Sequence, residues 1–263
     1  MSEQDLVRDR CVVVTGGGNG IGRAIARKMA AQGARVVVGD LDTDAAARVA
    51  AEVGGVAVGG DASTDEGVAR LLSAAGHVDV FFANAGSGVG KGIETPDADW
   101  HTALEVNVMA HVRAARALIP GWLESGGGRF VVTASAAGLL TMLGSAPYSV
   151  SKHAAVAFAE WLAVTYGHRG VTVQAICPQG VRTKMLDDSG EFRDLLSHDA
   201  ALEPEQVAEV VWEALHDDRF LILPHPEVQR YYETRAGRTD AWLAGMRKLQ
   251  KRFDDAETVV RND

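Results

Sequence analysis

The chain has 263 residues, of which 47% are hydrophobic and 23% charged, the balance of an ordinary globular protein. This composition excludes a disordered or fibrous chain, and the length suits a single domain spanning residues 1–263 without requiring a second. The 26 Lys and Arg against 35 Asp and Glu give a net charge of −9, which disfavours nucleic acid and anionic membranes as partners.

Cysteine usage and the N-terminus lead us to expect a cytoplasmic protein. Cys11 and Cys177 lie far apart within apolar runs, so neither a disulfide framework nor a structural zinc site is expected. The first residues lack the basic start and apolar stretch of a secretion signal. No apolar run reaches the roughly 18 residues that a membrane-spanning helix needs. The eight histidines show no metal-ligand spacing, so we expect no catalytic metal.

Short β-branched runs alternate with Ala-rich segments of helical period, which is the pattern of βαβ units. Seven segments are predicted as strands: 11–15, 35–39, 56–59, 78–83, 129–133, 171–177 and 220–223. Six are predicted as helices: 21–32, 43–52, 65–75, 98–123, 149–166 and 205–215. We therefore expect an α/β, three-layer Rossmann fold, in which helices cover both faces of a seven-stranded parallel sheet. The stretch 181–204 is too long for a routine connection and is a candidate lid.

The first predicted strand runs directly into a glycine-rich turn and then into a helix, which is the context of a dinucleotide site. Glycines at these positions permit a sharp turn, let the backbone approach a pyrophosphate and allow close packing of helix on strand. The helix N-terminus adds unpaired N–H donors and a partial positive charge. The candidate pyrophosphate-binding residues are Gly16, Gly18, Asn19, Gly20, Ile21 and Gly22.

Asp40 ends the second predicted strand, eighteen positions beyond Gly22. A carboxylate at this place can accept hydrogen bonds from a ribose 2′-hydroxyl and repels a 2′-phosphate. No Lys or Arg interrupts residues 16–20 or directly follows Asp40, so the sequence favours NAD over NADP. The alternative is that Asp40 is an ordinary loop carboxylate, or shares the capping of the next helix with Asp42.

Tyr148 and Lys152 are four residues apart on one predicted helix, so their side chains share a face. An ammonium about 4 Å from the phenol oxygen, in an effective dielectric of about 20, would favour the phenolate by about 4 kcal/mol, on the order of three pK units. We therefore expect Lys152 to lower the pKa of Tyr148. Tyr148 would then be a usable base near neutral pH.

Five motifs, in order between about residue 10 and residue 223, resemble the short-chain dehydrogenase/reductase family. They are the glycine turn from Thr15, Asp61, the triplet Asn84-Ala85-Gly86, Asn107, and Ser135 followed by Tyr148-Ser-Val-Ser-Lys152. The resemblance implies an NAD-dependent oxidoreductase acting on CH–OH groups. In it Tyr148 is the acid/base, Ser135 hydrogen-bonds the substrate oxygen, Lys152 also holds the nicotinamide ribose, and Asn107 positions Lys152 through a water.

The resemblance also implies further cofactor contacts. Asp61 would contact the adenine ring, and Asn84 would stabilise the central sheet beside the cofactor. The family usually places Gly directly after Pro178, whereas this chain has Gln179, which alters the backbone expected to hold the nicotinamide amide. The other cofactor contacts that the resemblance implies are Leu41, Ala62, Ala85, Gly86, Tyr148, Lys152, Pro178, Gly180, Val181 and Thr183.

Four apolar residues between Ser135 and Tyr148 must border the substrate: Leu139, Leu140, Met142 and Leu143. They indicate a hydrophobic alcohol or ketone as the small-molecule partner, the alternative being simple loop packing.

Residues 224–263 form a predicted helical C-terminal extension of the same domain, with an apolar stripe of Trp242, Met246, Leu249 and Phe253. We expect this stripe to pack on this subunit or on a second one. The other readings are a cover over an active site and a basic helix on a membrane surface. Because the family is commonly oligomeric, a homodimer or homotetramer is expected.

Hydride transfer between nicotinamide and a hydrophobic secondary alcohol or ketone is thus the leading hypothesis. Two alternatives stay open. One is a catalytically silent NAD-binding sensor or scaffold, and the other is a lyase or epimerase that retains its NAD.

Overall fold

Seven parallel strands form one sheet in the order β3-β2-β1-β4-β5-β6-β7. The computed structural model describes residues 6–187 and 201–260, the last five by their backbone alone. The strand positions agree with the sequence predictions to within about two residues. The strands are β1 (Cys11–Thr15), β2 (Arg35–Asp40), β3 (Val56–Gly59), β4 (Val80–Ala83), β5 (Gly128–Thr133), β6 (Val171–Ile176) and β7 (Leu221–Ile222).

Helices cover both faces of this sheet, which confirms the predicted three-layer Rossmann architecture. One apolar layer joins the sheet to α1, α2 and α8, and the other joins it to α3, α5 and α6. The helices are α1 (Gly20–Ala31), α2 (Thr43–Val53), α3 (Asp65–Ala75), α4 (Asp97–Leu104), α5 (Ala110–Ser125), α6 (Ala146–Tyr166), α7 (Lys184–Asp187), α8 (Pro204–Asp217), α9 (Glu227–Gly237) and α10 (Thr239–Val260).

The strand order reverses between β1 and β4. The chain builds β1, β2 and β3 outward in one direction, then returns to place β4 on the other side of β1. At such a switch point the loops leaving neighbouring strands diverge and open a crevice at their carboxyl ends. Thr15 and Ala83 end the two strands that flank this crevice, so the sheet topology places the glycine turn and the loop after β4 on its rim.

The predicted helix 98–123 is interrupted, and this part of the prediction is wrong. Helix α4 leads into a π-helical turn, Glu105–Met109, before α5 begins. A π-helical turn accommodates an extra residue, which the apolar period of the sequence does not reveal. Helix α6 also begins three residues before the predicted start, with Pro147 in its first turn, where a proline is well tolerated. Tyr148 therefore lies inside the first turn of α6.

The candidate lid, 181–204, falls largely on residues 188–200, which lie outside the described residues. Its described ends approach each other, because Val181 and Leu202 form a parallel β-bridge. Among the helices that the structure describes, none is long and apolar enough to cross a membrane.

Candidate active site

Hydrogen bonds tie together the carboxyl ends of β1, β4 and β5 beneath the crevice. The Thr15 hydroxyl accepts from the backbone N–H groups of Asn84 and Ala85, each at 3.0 Å. The Asn84 amide Nδ2 donates back to the carbonyl oxygens of Thr15 at 3.0 Å and Gly16 at 3.2 Å. Thr133 donates to Asn84 Oδ1 at 3.0 Å. Asn84 therefore fixes the start of the glycine turn, which is consistent with the stabilising role predicted for it.

The glycine turn is shaped as a cradle that side chains would fill. Gly16 adopts φ +61°, and a Cβ there would lie 2.9 Å from Cα of Ala85. A Cβ on Gly22 would collide with the Gly16 carbonyl oxygen, so α1 packs close against the turn only because this residue is Gly. Asn19 is the N-cap of α1 but makes no side-chain capping bond. The first amides of α1 are thus not satisfied by that side chain, and the cradle fits a pyrophosphate.

The Asp40 carboxylate is held at the end of β2, beside the glycine turn. Its Oδ2 accepts from the Gly18 N–H at 2.8 Å, and its Oδ1 accepts from the Asp42 N–H at 3.0 Å. The capping bond to α2 comes from the Asp42 side chain, which accepts from the Ala45 N–H at 2.9 Å. Asp40 therefore does not serve as the cap of α2, and its position suits the recognition of a ribose.

Lys152 lies buried on α6 and points toward the end of β5. Its Nζ donates to the Thr133 carbonyl oxygen at 2.9 Å and lies 5.6 Å from the centroid of the Tyr148 ring. A Cβ added to Gly86 would come within 3.4 Å of this Nζ. Burial disfavours the charged ammonium and lowers the pKa of Lys152 to about 8.

Tyr148 and Ser135 meet at the mouth of the crevice. Burial raises the pKa of Tyr148 above its usual value, and a hydrogen bond with Ser135 acts in the opposite direction. The lowering that we expected from Lys152 is not the direction found, because desolvation of the phenolate dominates. Ser135 Oγ accepts from the Ala137 N–H at 3.1 Å and lies 3.5 Å from the Pro178 carbonyl oxygen. The structure thus brings Ser135, Tyr148 and Lys152 together.

Asn107 is fully buried in the π-helical turn, where its side chain joins two loops. Its Oδ1 accepts from the Ser87 N–H at 2.8 Å, and its Nδ2 donates to the Ser87 carbonyl oxygen at 2.9 Å. The same Nδ2 donates to Ser151 Oγ at 2.9 Å, next to Lys152 in the chain. Asn107 therefore fixes the loop after β4 against α6. The water-mediated contact with Lys152 stays a prediction.

The loop after β6 carries Gln179 where the family usually has Gly. The Pro178 carbonyl oxygen accepts from the Ala136 N–H at 2.8 Å, and the Gln179 N–H donates to Nδ1 of His225 at 3.2 Å. His225 is buried and follows β7. Gln179 Oε1 is buried, and no hydrogen-bond partner for it occurs in the part of the chain that the structure describes. His225, which stands between Pro224 and Pro226, was not anticipated from the sequence.

Most of the remaining predicted cofactor residues lie on the loops at the same edge of the sheet, and Ile21 lies in the first turn of α1. Asp61 follows β3 and is exposed, and its Oδ1 accepts from the Ser63 N–H at 2.8 Å in the turn that leads to α3. Thr183 approaches the glycine turn, since a Cβ on Gly20 would lie 2.9 Å from its Cγ2. The others, placed by sequence next to residues already described, are Ile21, Leu41, Ala62, Ala85, Gly180 and Val181.

His111 was not anticipated from the sequence. It lies on α5, one helical turn after Asn107, and is 1% exposed. Among the described residues its Nε2 has no hydrogen-bond partner. Burial, with a smaller contribution from the charge of Lys152, lowers its pKa to about 3. A histidine in an otherwise apolar helix face, four residues after the candidate Asn, was the available signal.

Comparisons with known proteins agree with this geometry. A family model described as short chain dehydrogenase matches residues 10–194. The 1-deoxy-11-beta-hydroxypentalenate dehydrogenase of Streptomyces exfoliatus is 37% identical over 236 residues, which cover 85% of this chain and 86% of that protein. The meso-2,3-butanediol dehydrogenase of Serratia marcescens is 34% identical over 227 residues, which cover 81% of this chain and 90% of that protein.

Solved structures give the same result. A short chain dehydrogenase/reductase from Burkholderia phymatum in complex with NAD superposes with a TM-score of 0.81 at 30% identity, over 89% of this chain and 95% of that one. The chain therefore belongs to the short-chain dehydrogenase/reductase family, the family that its sequence motifs resemble. It is an oxidoreductase of the kind that acts on alcohols.

The close packing at Gly22 leads to a first prediction. Gly22→Ala is expected to weaken NAD binding at least tenfold and to destabilise the fold by about 1–3 kcal/mol, because the new Cβ meets backbone that cannot move aside. Calorimetric titration with NAD and urea unfolding measure the two effects. Gly121→Ala is the matched control, because it is also a helical glycine but has nothing within 4 Å of its added Cβ. Equal effects of the two substitutions would contradict the claim that close packing at Gly22 shapes the cofactor site.

The buried His111 leads to a prediction about pH. The unfolded chain binds a proton at this residue below about pH 6.5, whereas the folded chain does so only near pH 3, so this contribution to stability is lost as the pH falls through that window. Between pH 7.5 and pH 5 the wild type should lose about 2 kcal/mol more of its unfolding free energy than His111→Gln. Urea unfolding at several pH values measures the difference. The exposed His168→Gln should keep the wild-type pH dependence.

Proposed function

We propose that the protein is an NAD-dependent oxidoreductase that transfers a hydride between nicotinamide and a hydrophobic secondary alcohol or ketone. The observation that carries this proposal is the meeting of Ser135, Tyr148 and Lys152 beside the glycine turn, at the switch point of the sheet. Bound NAD would supply the two-electron acceptor that none of these side chains provides. The chain's own residues would bind the substrate and move its proton.

Tyr148 is the proposed acid/base. In the oxidation direction it takes the hydroxyl proton as the carbon gives up its hydride, and in the reduction direction it donates that proton to the ketone oxygen. Ser135 hydrogen-bonds the same oxygen while its charge changes. Lys152 contributes a positive charge next to the phenol and holds the nicotinamide ribose, and Asn107 keeps Lys152 in place.

The proposed cofactor is NAD rather than NADP. Support comes from Asp40, whose carboxylate would accept from the adenosine ribose and would repel a 2′-phosphate. The dehydrogenase/reductase from Burkholderia phymatum was solved with NAD. Asp61 would contact the adenine, and the loop from Pro178 to Thr183 would face the nicotinamide.

The proposed substrate is an apolar secondary alcohol or ketone. Leu140, Met142 and Leu143 are partly exposed between Ser135 and Tyr148, whereas Leu139 is buried and packs into the core. The partly exposed side chains offer the reacting carbon an apolar wall.

The proposed assembly is a homodimer or homotetramer. Helix α6 exposes Val150, Trp161 and Val164, the last with 81% of its surface accessible, and a second copy of the chain would cover this apolar surface. Cys11 and Cys177 are free and buried, which fits the reducing cytoplasm that we propose as its compartment.

The acid/base role is tested by substitution of the phenol. Tyr148→Phe is expected to lower kcat with a hydrophobic secondary alcohol such as cyclohexanol by about 10²–10⁴-fold, because the proton acceptor is lost while the ring remains. Absorbance of the reduced nicotinamide measures the rate, and calorimetry should give an NAD affinity unchanged within about threefold. Tyr166→Phe, at the far end of the same helix, is the control.

Other outcomes would identify the alternatives. Turnover retained in Tyr148→Phe would contradict the acid/base assignment. NAD binding by the wild type without turnover across a broad panel of alcohols and ketones would favour a sensor or scaffold. Cofactor that copurifies, together with substrate conversion that leaves no net reduced nicotinamide, would favour a lyase or epimerase.

Cofactor preference is tested at Asp40. Asp40→Ala is expected to reduce the ratio of kcat/KM for NAD to that for NADP at least tenfold, because the ribose loses its acceptor and the 2′-phosphate loses a repelling charge. Asp44→Ala removes a nearby exposed carboxylate from the first turn of α2 and should leave the ratio unchanged. A wild-type preference for NADP would contradict the assignment.

A further inference from the structure

Segment 139–143 lies between Ser135 and Tyr148 in the sequence and supplies the proposed apolar wall, and it is held at both ends. At its start, the N–H groups of Leu139 and Leu140 donate to the Ala136 carbonyl oxygen at 3.0 and 2.8 Å. At its far end, the Met142 N–H donates to Ser149 Oγ at 3.0 Å, and that hydroxyl donates to the Met142 carbonyl oxygen at 3.2 Å. Because Ser149 directly follows Tyr148, the second attachment belongs to the helix that carries the phenol.

A third attachment comes from the C-terminal helices. The Arg235 guanidinium, on α9, donates through one terminal nitrogen to the Leu139 carbonyl oxygen. The same guanidinium lies over the ring of Trp242, on α10, with 5.6 Å from its central carbon to the ring centroid. The edge of the Arg235 guanidinium thus contacts Leu139 in segment 139–143, and its face contacts Trp242 in the last helix.

Apolar packing runs alongside this polar contact. Val228, at the start of α9, is fully buried in the same core cluster as Leu139, and Tyr232 and Leu140 pack against that cluster. Helix α9 is therefore anchored to this core cluster by burial, and to segment 139–143 by the bond from Arg235. Residues far along the chain from Ser135 and Tyr148 support the segment between them.

We propose that Arg235 is a positioning residue for substrate, which couples the C-terminal helices to segment 139–143 and so sets the shape of the apolar pocket for bulky secondary alcohols. This inference rests on the proposed function for its substrate class. The side chain suits the task because a guanidinium donates in its plane while its face stacks on an aromatic ring. A lysine could donate to Leu139 but could not present such a face.

The coupling itself is tested by hydrogen exchange, which needs no substrate. In Arg235→Lys and in Trp242→Leu, the amides of Leu139, Leu140 and Met142 should exchange about tenfold faster than in the wild type, since one of three attachments is weakened. Trp242→Phe keeps a ring under the guanidinium and should restore most of the protection. Arg238 is exposed and lies between α9 and α10. Arg238→Met, which removes its charge, is the control.

Steady-state kinetics then separate a positioning role from a general structural one. For Arg235→Lys, KM for a bulky alcohol such as cyclohexanol should rise about tenfold, with kcat and the affinity for NAD changed less than threefold. KM for 2-propanol should change less than threefold, because so small an alcohol makes few contacts with segment 139–143.

The outcomes are distinct. Unchanged exchange in segment 139–143 would overturn the coupling, and faster exchange with unchanged KM for cyclohexanol would overturn its role in substrate binding. Equal losses for both alcohols, or a fall in NAD affinity, would mean that Arg235 only stabilises the fold. Faster exchange in a protein that turns over neither these two alcohols nor any member of a broad panel of alcohols and ketones would overturn the proposed function while the coupling stands.

Discussion

The site is organised around one buried positive charge, the ammonium group of Lys152. Taking such a group out of water costs several kcal/mol unless its surroundings replace the lost hydration. The protein provides the Thr133 carbonyl oxygen at 2.9 Å, and the low pKa of about 8 shows that this replacement is incomplete. A site with this deficit favours any further acceptor placed near Nζ. The hydroxyls of a bound ribose, or a phenolate at Tyr148, would be such acceptors.

Two polar arrangements hold together the elements that surround this charge. Thr15 and Asn84 join the ends of β1 and β4, and Asn107 joins the loop after β4 to α6. In both, side-chain groups satisfy backbone groups of distant segments, so each connection fixes a distance between elements that apolar packing alone would leave adjustable. Gly86 lies between the two arrangements, next to both Asn107 Oδ1 and Lys152 Nζ. The elements that border the crevice are therefore joined by hydrogen bonds as well as by apolar packing.

Much of the fold could be predicted from local patterns. The strands and the glycine turn were predicted because β-branched runs and glycines at fixed offsets are properties of contiguous residues. The interruption of the helix at 105–109 could not be, since Asn107 bonds to Ser87 and Ser151, which are far away in the sequence. The spacing of Tyr148 and Lys152 predicted that they share a face, but not the burial that raises the pKa of the phenol. The Asn107 contacts and the desolvation of Tyr148 depend on the tertiary structure, so local sequence patterns do not predict them.

The loop with Gln179, where the family usually has Gly, is bonded to the C-terminal part of the chain. The Gln179 N–H donates to Nδ1 of His225, which lies beyond β7. Ten residues further on, Arg235 donates to the Leu139 carbonyl oxygen in segment 139–143. The two loops that flank the proposed catalytic serine are thus both bonded to residues 224–260. The motifs shared with the family lie at the proposed site, and in this chain the segment after the last strand is bonded to two loops that we propose to face the substrate and the nicotinamide.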